Sequence, residues 1–344
     1  MKKTGVILVL AVIIAGGAYY LSAQSARAIT VLSWDYYIGP DTIADFEEEF
    51  DAKVTYELIK SNEEALARIK ANPGVYDVAV IGEYMVGIMD GEDGLEQIDM
   101  SKIPNISNIG AEFKGGYFDP DMKVSVPYAY GTTGFAVNTK FMSGANVSWN
   151  ELTKPQYKGK VAVMDDMRQV LGSVLMELGY SPNSTIQSEI DEAVALFKKV
   201  SPNIVRFTAD SPVSLMVSEG AWVAYAWSGD SLQMSTENPD ITYVIPAAGS
   251  MKFLDSMVIP AGAPHKELAH EWINFILRPD VSAAITDEVQ YGNPNTEAFD
   301  LISEEVRTNT AVFPEADSLS RLEYVKDLGE DISLFDTAWE SVKQ

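Results

Sequence analysis

The chain of 344 residues contains no cysteine. That absence excludes disulfides, thiol nucleophiles, cysteine-ligated zinc and a lipid-modified cysteine behind a signal. Histidine is nearly absent too. His265 and His270 stand five apart, away from the i, i+4 spacing with which a helix presents two imidazoles to zinc, and both are expected on the surface. Basic residues are scarce, with 25 Lys and Arg against 50 Asp and Glu and a formal charge of -25. Nucleic acid, whose phosphates need clustered Lys and Arg, is argued against, and cationic partners fit better. The chain also lacks a phosphate loop, a Ser/His constellation, a metal cluster, an internal repeat and any low-complexity tract beyond its start. Neither cofactor nor catalysis is expected.

Long apolar runs are missing except at the beginning. Lys2 and Lys3 precede an apolar stretch from Val6 to Leu21, and Ala26-Arg27-Ala28 offers an A-x-A cleavage pattern. Residues 1–28 are expected to be a secretory signal cleaved before Ile29. The alternative is an uncleaved anchor, because the run is long for a signal core and marginal for a span. Either way the destination is outside the cytoplasm. The acidic residues are spread out, with runs no longer than Glu47-Glu48-Glu49, so most of them read as solvated surface.

The length exceeds the usual size of a single core, so two lobes and a cleft are expected. From residue 29, short β-rich runs alternate with helical windows, and the sheet should be mixed but largely parallel. Residues 30–34 and 77–81 read as buried strands, 42–50 as an amphipathic helix, and Ser61 with Glu64 as the cap of a helix that Asn72-Pro73-Gly74 ends. Two longer β segments, 124–138 and 252–260, have the length to cross between lobes. Between and after them lie strands at 161–164, 204–208, 221–227 and 241–245, with helices at 168–178, 190–200, 213–218, 266–277 and 281–289. Tyr291-Gly292-Asn293-Pro294-Asn295 is a turn displaying one ring.

Three separated stretches pair an aromatic ring with a carboxylate: Trp34-Asp35-Tyr36-Tyr37, Trp227-Ser228-Gly229-Asp230 and Phe253-Leu254-Asp255. Brought together, they suit an organic cation: ring faces attract ammonium groups and carboxylates supply charge and acceptors. Any one ring alone would be packing, and Trp149, Trp222, Trp272 and Trp339, which sit on regular strand or helix patterns, are read as structural. Asp255 lies in an apolar strand, where an unpaired carboxylate is costly, so it needs a ligand or a buried partner.

These landmarks, in this order, resemble the periplasmic polyamine-binding proteins that serve ABC transporters. The likeness rests on Trp34-Asp35-Tyr36-Tyr37-Ile38, Tyr76-Asp77-Val78, Ser125-Val126-Pro127-Tyr128, Trp149-Asn150-Glu151-Leu152, Tyr157-Lys158-Gly159-Lys160, Asp165-Asp166, Leu178-Gly179-Tyr180-Ser181 and Asn274-Phe275-Ile276-Leu277-Arg278-Pro279-Asp280. It implies an α/β bilobal fold of the type II periplasmic-binding class, with residues 29–133 and 255–303 in one lobe and 134–254 and 304–344 in the other. It also implies a monomeric receptor, without enzymatic activity, that passes its ligand to an inner-membrane ABC permease. By the same resemblance Trp34, Tyr37, Tyr84, Trp227 and Tyr291 are ring positions, and Asp166 and Asp255 meet ammonium groups. Asp230 and Phe253 resemble the putrescine-preferring branch.

Some positions depart from that pattern. Gln169 stands where the family usually has Glu, Asp35 lies one place before the usual acid, Val325 replaces a polar residue and Gly82 a small hydroxyl residue. Such a pocket should favour a shorter or less charged amine, with Glu83 partly compensating for Gln169. Asp165-Asp166 also reads as a helix cap before the helical window that follows, one Asp capping while the other binds. Two rival readings stand beside the polyamine one: an exported hydrolase using Asp165-Asp166, and a receptor for another solute, including a ferric-ion binder built on Tyr36-Tyr37.

Overall fold

The computed structural model describes residues 27–144, 147–208 and 212–343, so most of the expected signal lies outside the described residues. Among them, ten strands form one mixed sheet: β1 (Arg27–Trp34), β2 (Ala52–Ile59), β3 (Val78–Gly82), β4 (Ser125–Asn138), β5 (Val161–Met164), β6 (Ile204–Thr208), β7 (Val223–Trp227), β8 (Ile241–Val244), β9 (Ser250–Val258) and β10 (Leu322–Tyr324). The order is β2-β1-β3-β9-β4-β7-β5-β6, with β10 beside β9 and β8 beside β4. β1 takes in Arg27 and Ala28, the last two residues of the expected signal.

β4 belongs to both ends of this sheet. Its first part, through Thr132, pairs with β9, and from Thr133 onward it pairs with β7 and β8. β9 in turn meets β10 with Ser250–Lys252 and β3 with Asp255–Val258. The outer pairs β1–β2, β1–β3, β5–β6 and β5–β7 are parallel, as their helical crossovers require. The two long strands run antiparallel to β3, β7, β8 and each other, so the sheet is less parallel than expected.

Local chemistry sets the helix starts. Ser61 Oγ accepts the Glu64 N–H at 3.0 Å, and Glu64 reaches back to the Lys60 N–H at 2.9 Å, opening the helix Asn62–Ala71. Sequence reading missed β2, β10 and the helices Glu83–Gly91, Ser228–Glu237 and Ile332–Lys343. β2 is an edge strand whose polar residues blur its alternation, and the helix Glu83–Gly91 is short and contains two glycines.

One core packs Phe135, Trp149, Tyr225, Phe197 and Phe335 beneath the β5–β7 end. Another packs Phe46, Trp272 and Phe275 beneath β1 and β3, with Phe46 and Trp272 edge to face at 4.9 Å. Trp149 donates to Ser173 Oγ at 2.7 Å, so its polar edge is satisfied where it is buried. Trp339 is buried, and Trp222 stacks on Phe141 at 4.6 Å.

His270 is buried, contrary to the surface expectation. Its Nε2 accepts the Asp99 N–H at 3.0 Å and its Nδ1 meets Lys266 O at 2.6 Å, so one neutral tautomer spends both nitrogens on backbone. His265 remains half exposed beside Asp77. Among the described residues no helix is long and apolar enough to cross a membrane.

Asp119 anchors the entry to β4. It is buried and accepts from the Lys123, Val124 and Ser125 N–H groups at 2.8, 3.0 and 2.9 Å and from Ser125 Oγ at 2.7 Å. Asp119→Ala strands three backbone donors and is expected to cost about 3 kcal/mol in urea denaturation, where an ordinary surface aspartate costs almost nothing.

Candidate ligand-binding site

The sheet brings the separated stretches to one place. Trp227 ends β7 and Phe253 sits in β9, and their rings meet edge to face at 5.1 Å. Phe253 touches Tyr291 at 5.6 Å, Tyr291 touches Tyr37 at 5.4 Å, and Tyr37 touches Tyr128 at 5.5 Å. A continuous row of rings therefore runs from the β7 end of the sheet to the β1 end.

Two glycines make room for it. A Cβ on Gly131 would lie 2.5 Å from the Phe253 ring, and one on Gly229 would lie 2.5 Å from the Tyr291 ring. The Tyr291 turn is held from both sides. Gly292 and Tyr130 exchange backbone hydrogen bonds at 2.8 and 2.9 Å, while Asn293 Nδ2 donates to Ser282 and Thr286 of the helix Pro279–Val289.

Asp255 lies under this row. The Tyr37 hydroxyl donates to its Oδ2 at 2.6 Å, and Tyr128 donates to the Tyr37 carbonyl. Burial pushes the Asp255 carboxyl up to about 7, with the Tyr37 hydrogen bond opposing. Glu83, the first residue of its helix, accepts the Leu254 N–H at 3.2 Å. Burial raises its carboxyl to about 8, and the nearby Asp255 charge adds to that.

A second group of polar atoms gathers around Tyr84 and Asp166. Tyr84 donates to Glu63 at 2.8 Å, and its phenol is raised by burial and then by the charges of Glu63 and Asp166. Asp166 caps the helix Met167–Glu177, its Oδ1 accepting the Arg168 and Gln169 N–H groups at 2.9 and 3.0 Å. Burial raises its carboxyl against those two bonds. Gln169 is buried and accepts from Thr133 at 3.3 Å.

Trp34 is half-buried, with its Nε1 buried and unpaired. Asp35 is exposed and accepts the Tyr36 N–H at 3.0 Å. Asp230 opens the helix Ser228–Glu237 and raises the Tyr291 phenol by its charge, after burial. Val325 is buried in the core, its carbonyl accepting from Tyr117 at 2.6 Å. Tyr128 and Glu63 were missed by sequence reasoning. Tyr128 precedes a strand crossing and Glu63 sits inside a capping motif, so each already had a local explanation. Among the described residues no three His, Asp or Glu side chains group to hold a metal ion.

The ring row lies where β4 exchanges β9 for β7. The bacterial extracellular solute-binding protein family matches residues 41–314, and the chain belongs to it. It is 33% identical to the spermidine/putrescine-binding periplasmic protein of Escherichia coli K12, over 96% of this chain and 97% of that one. It is 32% identical to the putrescine-binding periplasmic protein PotF of the same organism, over 93% and 92%. Among solved structures, the spermidine/putrescine ABC transporter substrate-binding protein PotD of Streptococcus pneumoniae superposes with a TM-score of 0.83 at 33% identity, covering 92% of this chain and 99% of that one.

Asp255 and Glu83 stand above their unfolded carboxyl values. The folded protein thus keeps protons that the unfolded chain has released, and their contribution is lost as pH rises through about 7 and about 8. Without ligand, the melting temperature is expected to fall by several degrees from about pH 6 to about pH 8.5, and less steeply in Asp255→Asn. A flat profile would contradict two buried neutral acids.

Proposed function

We propose that this protein is an extracytoplasmic receptor that closes two lobes on a linear di- or polyamine, putrescine in preference to spermidine, and delivers it to an inner-membrane ABC permease. The observation that carries the reading is the ring row Tyr37–Tyr291–Phe253–Trp227 beside a buried Asp255 whose carboxyl no cation among the described residues stabilises. Rings sheathe methylenes and ammonium faces, and the carboxylate fixes the charged end. The names of the relatives, which describe binders of spermidine and putrescine, point the same way. In this reading Asp255 and Asp230 take one ammonium group, Asp166 and Asp35 lie toward the other, and Trp34 and Tyr84 complete the walls. Gln169 and Val325 remove polar character and so favour the shorter ligand.

The lobes divide at 29–133 with 255–303 and 134–254 with 304–344. Support comes from β4, which changes partners between Thr132 and Thr133, and from β9, whose pairing with β3 begins at Asp255.

A panel of putrescine, cadaverine, spermidine, spermine, a sugar and ferric ion tests the reading by melting shift and calorimetry. An amine at 100 times its dissociation constant should stabilise the fold by about 2.7 kcal/mol. A shift with the sugar or iron and none with any amine ends the amine reading. Asp255→Asn should weaken amine binding about 100-fold or more while the protein stays folded, and unchanged affinity removes Asp255 from the site. Gln169→Glu should move the preference toward spermidine, and an unaltered rank order contradicts the role given to the amide.

A further inference from the structure

β3 ends at Gly82, paired with Asp255 on β9. The next residue, Glu83, leaves the ladder to begin a helix, and its carboxylate takes the Leu254 N–H that a longer strand would have used. The result is two carboxylates at the end of one ladder, with Glu83 2% and Asp255 7% exposed.

The groups facing them are phenols. Tyr37, Tyr128 and Tyr291 surround Asp255, while Tyr117 and Tyr324 respond to the Glu83 charge. Two bases beside these phenols, Arg168 at Tyr117 and Lys252 at Tyr324, are engaged by other groups. The Arg168 guanidinium donates to Lys326 O and Asn183 Oδ1 at 3.0 and 2.9 Å, and the Lys252 ammonium stands over the Tyr324 ring at 4.7 Å. Ionising both acids without a cation is costly at this burial. An entering ammonium, with three donors, relieves the cost and suits two carboxylates. Neither Gln169 nor Val325 supplies a carboxylate to this floor, so Glu83 brings the second charge from the β3 side.

We propose that Glu83 is a ligand-reading carboxylate: with Asp255 it seats one ammonium group, and a proton held by the two acids in the unliganded protein leaves to solvent as that ammonium enters. This rests on the amine reading above. Proton release distinguishes a ligand-reading acid from one that only caps the strand end, since a cap would keep its state on binding.

The test is calorimetry of the full chain with putrescine in two buffers of different ionisation enthalpy, between about pH 6.5 and about pH 8. The wild type should release protons on binding, and Glu83→Gln, which keeps the shape, should bind about tenfold more weakly and release fewer. A wild type that binds putrescine without proton release overturns the proposal, and this arm decides if the variant does not fold. A folded Glu83→Gln with unchanged affinity and proton count overturns it as well, leaving the amine reading intact. A wild type that binds no amine overturns both.

Discussion

The cost of burying a charge organises this protein. Asp255 sits in the middle of a crossing strand, where the surrounding residues are closely packed and water is excluded. Among the described residues, its one side-chain hydrogen bond comes from Tyr37, which is 218 positions away in the chain. Tyr37 is in turn fixed by Tyr128 at its carbonyl and by Tyr291 at its ring. One carboxylate thereby ties the loop after β1, strand β4 and the turn after the helix Pro279–Val289 to the same point.

The rings depend on backbone that comes close to them. Phe253 and Tyr291 lie against Gly131 and Gly229, where any side chain would push them away. Both glycines stand near the place where β4 exchanges β9 for β7, so the changeover and the ring row are built from the same residues. On the proposed reading, bending there moves Trp227 and Asp230 relative to Trp34 and Tyr84, and closure acts directly on the ligand.

Much of this was legible along the chain. The buried strands, most helices, both crossing segments and the Tyr291 turn announce themselves through apolar runs, caps and Gly/Asn/Pro clusters, which are local signals. β2 escaped because an edge strand carries polar residues on its open side, and the short helix at Glu83 because two glycines dilute its period. His270 was misplaced because polarity suggested surface, whereas two backbone partners, Asp99 and Lys266, satisfy it inside. Tyr128 was invisible as a partner of Tyr37 because nothing in a strand's alternation tells which hydroxyl finds which carbonyl.

By itself, then, the sequence determined the family, the α/β class, the acidic cysteine-free character and the set of rings and acids available, since these are carried by residue identity and order. Only the tertiary structure decided which of them meet. It put Tyr37, Tyr291, Phe253 and Trp227 in one row, left Asp35 exposed on its own turn, spent half of Asp166 on a helix cap, and set Glu83 beside Asp255. The reason is physical: burial and hydrogen bonding are properties of the assembled sheet, and a residue hundreds of positions away supplies or withholds the partner that decides whether a carboxylate is charged.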